Sequence, residues 1–336
     1  MSKKTRGILQ LLLSLVLLTW LVNRVGLDEI ARVLTGINWT WYFLAFLVFI
    51  INLVIRTYRW HILLSALSDR ASFGRLLYLY FLGFFFNNFI PSGFGGDIVK
   101  VVSLRQEHGR SKVVEALSSV LMDRVTGLLG SSLIAAFILL WNSLQVWLGW
   151  PGANLSLPRM ILASVLLVSL GTPLGFAFVR WSDPLGLLSS LLPFTRRFTS
   201  NDKVQRLTGT VQQYPLFALV KALLTSLPFT LGLVVVQYTI ARALAVELPF
   251  YLFLLFVPLI AIMNLLPLSF NGLGMREGVY QFLFVPVGVP SASAISMSLA
   301  FYFLRVSVGL IGGLLYAIRS ISKIGRVSQI DDMELK

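Results

Sequence analysis

The sequence contains no cysteine, which excludes disulfides, thiolate nucleophiles and cysteine-ligated metals. Histidine occurs only as His61 and His108, too few and too scattered for a zinc motif. Acids are scarce, with 14 Asp and Glu against 28 Lys and Arg. There is no Gly-x-Ser-x-Gly elbow, no nucleotide-phosphate loop and no metal-ligand spacing. No enzymatic constellation emerges from what is left. Catalytic residues, metal and cofactors are therefore all expected to be none.

Apolar residues, by contrast, make up 57% of the chain, and the mean hydropathy is +0.82. A soluble domain cannot hide that much apolar surface, and runs of eighteen or more nearly uncharged residues recur, the mark of membrane-spanning helices. The net charge of +14 is read in that light. Lys and Arg gather in cytoplasmic loops of membrane proteins and face anionic lipid there, so nucleic acid is not an expected partner.

Apolar spans are predicted at about 7–23, 39–55, 112–140, 159–180, 215–242 and 291–318. The first follows a basic start and no cleavage pattern, so it is expected to stay as a span. Two further apolar stretches, about 76–104 and 249–288, are each broken by Pro and Gly. Lys and Arg number three in 1–6, four in 56–75, four in 100–112, five in 180–206 and four in 319–336, but none in 141–158 or 285–290. The positive-inside rule then puts both termini in the cytoplasm, provided each broken stretch enters and leaves on one side.

The expected fold is an all-α polytopic membrane protein with six full spans and two re-entrant hairpins, arranged span, span, hairpin, span, twice and in opposite orientation. That inverted repeat is common among secondary transporters. The expected divisions are a first repeat at 1–140, an extracytoplasmic loop at 141–158, a second repeat at 159–318 and a cytoplasmic tail at 319–336. Within the second repeat, 181–214 is a cytoplasmic connector, read either as an amphipathic helix on the leaflet or as a solvated link. The end of the tail is expected to fray. The two breaks align without a gap: Asn88, Pro91 and Lys100 fall on Asn264, Pro267 and Arg276.

The breaks are the first candidate site. Backbone that leaves helical form at membrane depth must be buried in protein or line a wet cavity. Gly95, Gly96, Gly272 and Gly274 permit close approach to a ligand, and a helix restarting there offers free N–H groups to an anion. Lys100 and Arg276 add positive charge, and Asp97 and Glu277 are expected to pair with these bases. Asp123, Arg124 and Arg305 interrupt the matching spans 112–140 and 291–318. Arg124 and Arg305 are candidates to meet an anionic head group, the alternative being a buried pair such as Asp123 with Arg305. Arg56-x-x-Arg59-Trp60 reads as an interfacial anchor at the end of the second span, the alternative being a role in gathering lipid.

At these residues the chain resembles the flippase-like membrane domain of bacterial lysylphosphatidylglycerol synthases and its stand-alone relatives. The matching motifs are Arg56-x-x-Arg59-Trp60, Pro91-x-x-x-Gly95-Gly96-Asp97-x-x-Lys100, Asp123-Arg124 and Pro267-x-x-x-x-Gly272-x-Gly274-x-Arg276-Glu277. Members often carry Glu-Arg where this chain has Asp123-Arg124. The resemblance implies inverted halves with re-entrant helices that move a charged lipid between leaflets. The soluble aminoacyl-transfer domain of the full synthases is absent, so lysyl-lipid synthesis is not expected.

The function expected is translocation of a lipid with an anionic or zwitterionic head group, a phospholipid or a polyprenyl-phosphate-linked lipid, across the cytoplasmic membrane. Two rival readings are a membrane enzyme acting on such lipids and an accessory subunit for a separate lipid-modifying synthase or glycosyltransferase. A homodimer is a further expectation.

Overall fold

A computed structural model of the chain describes residues 27–67, 71–88, 95–108, 113–148, 158–191, 199–263 and 273–334. Among these residues the chain is all-helical, with no strand. Twelve α-helices follow in order. They are α1 (Leu27–Thr35), α2 (Trp39–Ser65), α3 (Phe73–Asn87), α4 (Gly95–His108), α5 (Val113–Trp147) and α6 (Arg159–Trp181). After them come α7 (Pro184–Leu191), α8 (Asp202–Gln212), α9 (Leu216–Ala243), α10 (Phe250–Met263), α11 (Met275–Phe284) and α12 (Ser291–Glu334).

Five of these, α2, α5, α6, α9 and the Ser291–Arg319 part of α12, are long and apolar enough to cross a membrane. The expected span at 7–23 lies outside the described residues. Helix α2 shows how sequence sets the membrane face. Asn38 caps it by accepting from the N–H groups of Thr40 and Trp41 at 3.0 and 3.3 Å. Trp39, Phe43, Leu47, Ile51, Val54 and Tyr58 recur at helical spacing and are exposed to the surroundings. Ala45, Phe49, Asn52, Leu53 and Trp60, on the other side, are buried. An apolar face turned outward is what lipid requires.

The order of contacts fixes the directions of the helices. Asn38 N–H donates to the Ala243 carbonyl at 2.8 Å, and Tyr214 hydroxyl donates to the Leu63 carbonyl at 3.0 Å, so α2 and α9 run antiparallel. Helix α3 runs antiparallel to α12, with Phe81 on Gly312 and Asn88 on Gly309. The pairing of elements repeats across the chain: α3 packs on α12, and α10 packs on α5.

Several boundaries differ from the sequence expectation. Helix α2 continues ten residues past 55, and α5 runs to Trp147, into the segment read as a loop. In α2 the added turns carry Arg59 and Trp60 to buried partners on α5. The connector 181–214 holds two helices, α7 over its Leu-rich part and α8 after it. Helix α8 docks on α5 and α6, and Gln212 Nε2 donates to the carbonyls of Val179 and Ser182 at 3.1 and 2.9 Å. The expected fraying tail is helical to Glu334.

Candidate functional site

The two broken stretches form short antiparallel arms. Helix α3 has 15 residues and α4 has 14. They meet where Gly83 faces Gly96 so closely that a Cβ on Gly96 would collide with the Gly83 backbone. Asn87 at the end of α3 accepts from the Gly96 N–H at 2.7 Å, which satisfies one free donor at the start of α4. The tip between them, with Pro91, lies outside the described residues, as do Asn264, Pro267 and Gly272 of the second tip. Gly95 and Gly96 open α4 and are buried.

Around the first tip the charged residues form one network. Asp97 accepts from Arg124 Nε at 2.6 Å and pairs with Lys100 at 3.4 Å. The Lys100 ammonium is buried and sits 3.4 Å from the centre of the Tyr80 ring. Asp123 accepts from Arg59 Nε at 2.8 Å, Arg56 Nε at 3.3 Å and the Tyr80 hydroxyl at 2.7 Å. The Arg59 guanidinium also lies 4.7 Å from the centre of the Phe229 ring, and its Nη1 donates to Ser226 at 3.0 Å.

This overturns two readings of the sequence. Arg59 and Trp60 are not interfacial anchors: both are buried, and Trp60 Nε1 donates to Ser119 on α5 at 3.0 Å. Asp123 pairs with Arg56 and Arg59 of α2, and its described contacts do not include Arg305. The residues that sequence reasoning missed at this site are Tyr80, Asn87 and Ser226, while Arg56 and Arg59 were expected in another role. The spacing of Arg56 and Arg59 was visible, but their inward direction depends on a helix that outlasts its apolar run.

At the second tip, Gly274 begins α11 with φ +80°, a backbone conformation suited to glycine. Its N–H donates to Glu277 Oε2 at 2.6 Å. The other carboxylate oxygen accepts from Arg276 Nη2 at 3.0 Å and from Ser298 at 2.8 Å. Arg276 Nε donates to Ser298 at 2.7 Å. Arg276 Nη1 is buried and has no hydrogen-bond partner among the described residues. Thus Asp97 and Glu277 do pair with the neighbouring bases, as expected.

Helix α12 is contacted by residues that border both breaks. Ser298 bonds to Arg276, and Tyr302 lies under its guanidinium, with the ring centre at 5.1 Å. One turn further on, Arg305 lies 5.9 Å from the Phe84 ring centre, and Gly309 receives Asn88 and Phe84 of α3. The end of α3 and the start of α11 therefore abut the same few turns of α12. Arg305 is the middle residue of the Ser291–Arg319 span. It has no carboxylate partner among the described residues. Six bases (Arg56, Arg59, Lys100, Arg124, Arg276 and Arg305) are set against three acids (Asp97, Asp123 and Glu277). The sum is 6 − 3 = +3, inside a bundle of membrane-crossing helices. Among the described residues no group of acids and histidines is arranged to hold a metal ion.

The model of a family described as "Lysylphosphatidylglycerol synthase TM region" matches residues 7–313. A UPF0104 membrane protein of Methanothermobacter thermautotrophicus is 24% identical over 322 residues, covering 87% of this chain and 88% of its own. A second UPF0104 membrane protein, from Pyrococcus horikoshii, is 23% identical over 322 residues, with 89% and 91% covered. A third, from Methanocaldococcus jannaschii, is 31% identical over 124 residues, 37% of each chain. No solved structure matches the chain at a significant level.

Proposed function

The chain belongs to the lysylphosphatidylglycerol synthase TM-region family, and from that premise we propose that this multi-pass membrane protein translocates a lipid with an anionic head group between the leaflets of the cytoplasmic membrane. The observation that carries the reading is the uncompensated charge of the centre, above all Arg305 at mid-span without an acid partner. A charged side chain at the bilayer centre costs about 2.5–3.5 kcal/mol on insertion scales, so one without a counter-ion calls for an anion. Guanidinium forks match phosphate oxygens in two-point contact. Arg276 Nη1 and Arg305 are the donors left to make that contact.

The inverted repeat and the re-entrant hairpins belong to this proposal. Support comes from the opposed directions of α2 and α9, and from the exchange of partners between α3 on α12 and α10 on α5. Length supports it too. The 15 residues of α3 reach roughly 22 Å at about 1.5 Å per residue, short of a hydrocarbon core of about 30 Å. Both termini then lie in the cytoplasm. The head group passes between the tips while its acyl tails remain in lipid, and the residues of the two tips act in turn from either side. Moving one net charge through the membrane potential is worth about 2.3 kcal/mol per 100 mV, which suffices to bias the direction.

The test is leaflet exchange of a fluorescent anionic phospholipid in proteoliposomes. Arg276→Ala and Arg305→Gln are expected to abolish exchange. Arg305→Gln breaks no ion pair among the described residues, so its fold, checked by melting temperature, stays intact. Exchange at the wild-type rate in a folded Arg305→Gln protein overturns the proposal.

A further inference from the structure

We infer that the head group suited to this centre ends in a phosphate bearing two negative charges, rather than in a singly charged phosphodiester or a net cationic aminoacyl group; this rests on the anionic-lipid reading above. The inference comes from the charge sum and the free donors. Arg56, Arg59, Lys100, Arg124, Arg276 and Arg305 exceed Asp97, Asp123 and Glu277 by three.

Among the described residues no other acid is paired with these six bases. Glu115, two turns before Asp123 on α5, has a buried carboxylate oxygen without a hydrogen-bond partner among the described residues and pairs with none of the six bases. A dianion brings the centre to +1, and a monoanion leaves it at +2. A head group with one net positive charge raises it to +4, and like charges in a low-dielectric interior repel strongly.

The donors agree with the charge. Arg276 is 2% exposed and keeps Nη1 unpartnered among the described residues. Arg305, one turn along α12 from the ring that underlies Arg276, has no acid of its own. The two come from different elements, α11 and α12, and both lie at the same turns of α12. A terminal phosphate offers three free oxygens to such a pair, whereas a phosphodiester offers two.

The probes are phosphatidic acid, a phosphomonoester, and phosphatidylglycerol, a phosphodiester, with matched short acyl chains. Binding to the purified full chain in detergent is measured by calorimetry at about pH 7.5 and about pH 5.5. These values bracket the second phosphate ionisation near 6. Phosphatidic acid is expected to bind about tenfold tighter than phosphatidylglycerol at the higher pH, with the gap closing at the lower. The protein groups facing the site are the six bases, the three acids and Tyr80, Tyr280 and Tyr302. Phosphatidylglycerol in the same buffers reports any titration among them. Arg305→Gln should remove most of the preference, and Arg305→Lys should keep it. Equal affinity for the two lipids at pH 7.5, both weakened by Arg305→Gln, overturns this inference and leaves the anionic-lipid reading standing. Binding of neither lipid, or equal binding of zwitterionic phosphatidylcholine, overturns both.

Discussion

Arg59 on α2 and Asp123 on α5 are joined by a 2.8 Å charge-assisted hydrogen bond, with only 1% and 3% of their side chains exposed. The same carboxylate also takes Arg56 and the Tyr80 hydroxyl, so one acid ties together three helices, α2, α3 and α5. Removing one partner of a buried pair costs about 3–5 kcal/mol, because the other charge is left uncompensated. Asp123→Asn is therefore expected to lower the melting temperature in detergent by far more than a surface change would. Asp123→Glu should recover much of the loss. In a double-mutant cycle, Arg59→Gln added to Asp123→Asn should cost less than the sum of the two. Additive losses would show that the pair is not coupled.

The crossing of α3 and α4 supports a second prediction. A Cβ at Gly96 would collide with the Gly83 carbonyl, whereas at Gly74 it would meet nothing within 4 Å. Gly96→Ala forces the arms apart, at the 1–3 kcal/mol scale of about one overpacked methyl. Gly74→Ala lies in an open helical position and should stabilise by about 0.4–1 kcal/mol through the unfolded chain. Melting curves of the two variants should move in opposite directions, and Gly96→Ala should also slow lipid exchange. A neutral Gly96→Ala would mean that the arms do not pack this tightly.

Glu277 allows a third. It caps α11 at Gly274 while neutralising Arg276. Glu277→Gln keeps the size and an acceptor but removes the charge, so Arg276 gains a stronger hold on an anion. Affinity for short-chain phosphatidylglycerol should rise several-fold, while exchange slows because release is harder. Weaker binding, in a protein that still melts cooperatively, would make Glu277 part of the lipid contact rather than a brake on Arg276.

These sites show what the sequence could and could not disclose. Membrane class, five of the spans and the pairing of Asp97 with Lys100 or of Glu277 with Arg276 were legible because each is local: hydropathy over one helix, or charges within a turn. Arg59 was not legible, since its partner is 64 residues away and its apolar window had already ended. Asn87 was passed over for its neighbour because the Asn88–Asn264 alignment weighs repeat symmetry and not direction. Asn87 bonds to the Gly96 N–H, whereas the Asn88 side chain lies on Gly309. The partners of Arg305 depend on how α3 and α12 dock, which no local pattern encodes.

The natural absence of cysteine makes the last prediction direct, because any single cysteine is the only thiol in the chain. If the α3–α4 pair enters and leaves on one side, thiols at its two ends must share that side. Ser72 caps α3 and Arg105 lies near the end of α4, and both are exposed. Phe250 opens α10 and Val285 follows α11, and both are exposed as well. In intact cells an impermeant maleimide should label Phe250→Cys and Val285→Cys, together with the reference Trp147→Cys. It should reach Ser72→Cys, Arg105→Cys and the reference Ser200→Cys only after the membrane is opened. The arms are too short to cross a core of about 30 Å singly, so a stretch that traversed the bilayer would do so once and split its own pair. Ser72→Cys and Arg105→Cys labelled from opposite sides would end the re-entrant reading, and the contacts of α3 and α11 with the same turns of α12 would then need another account.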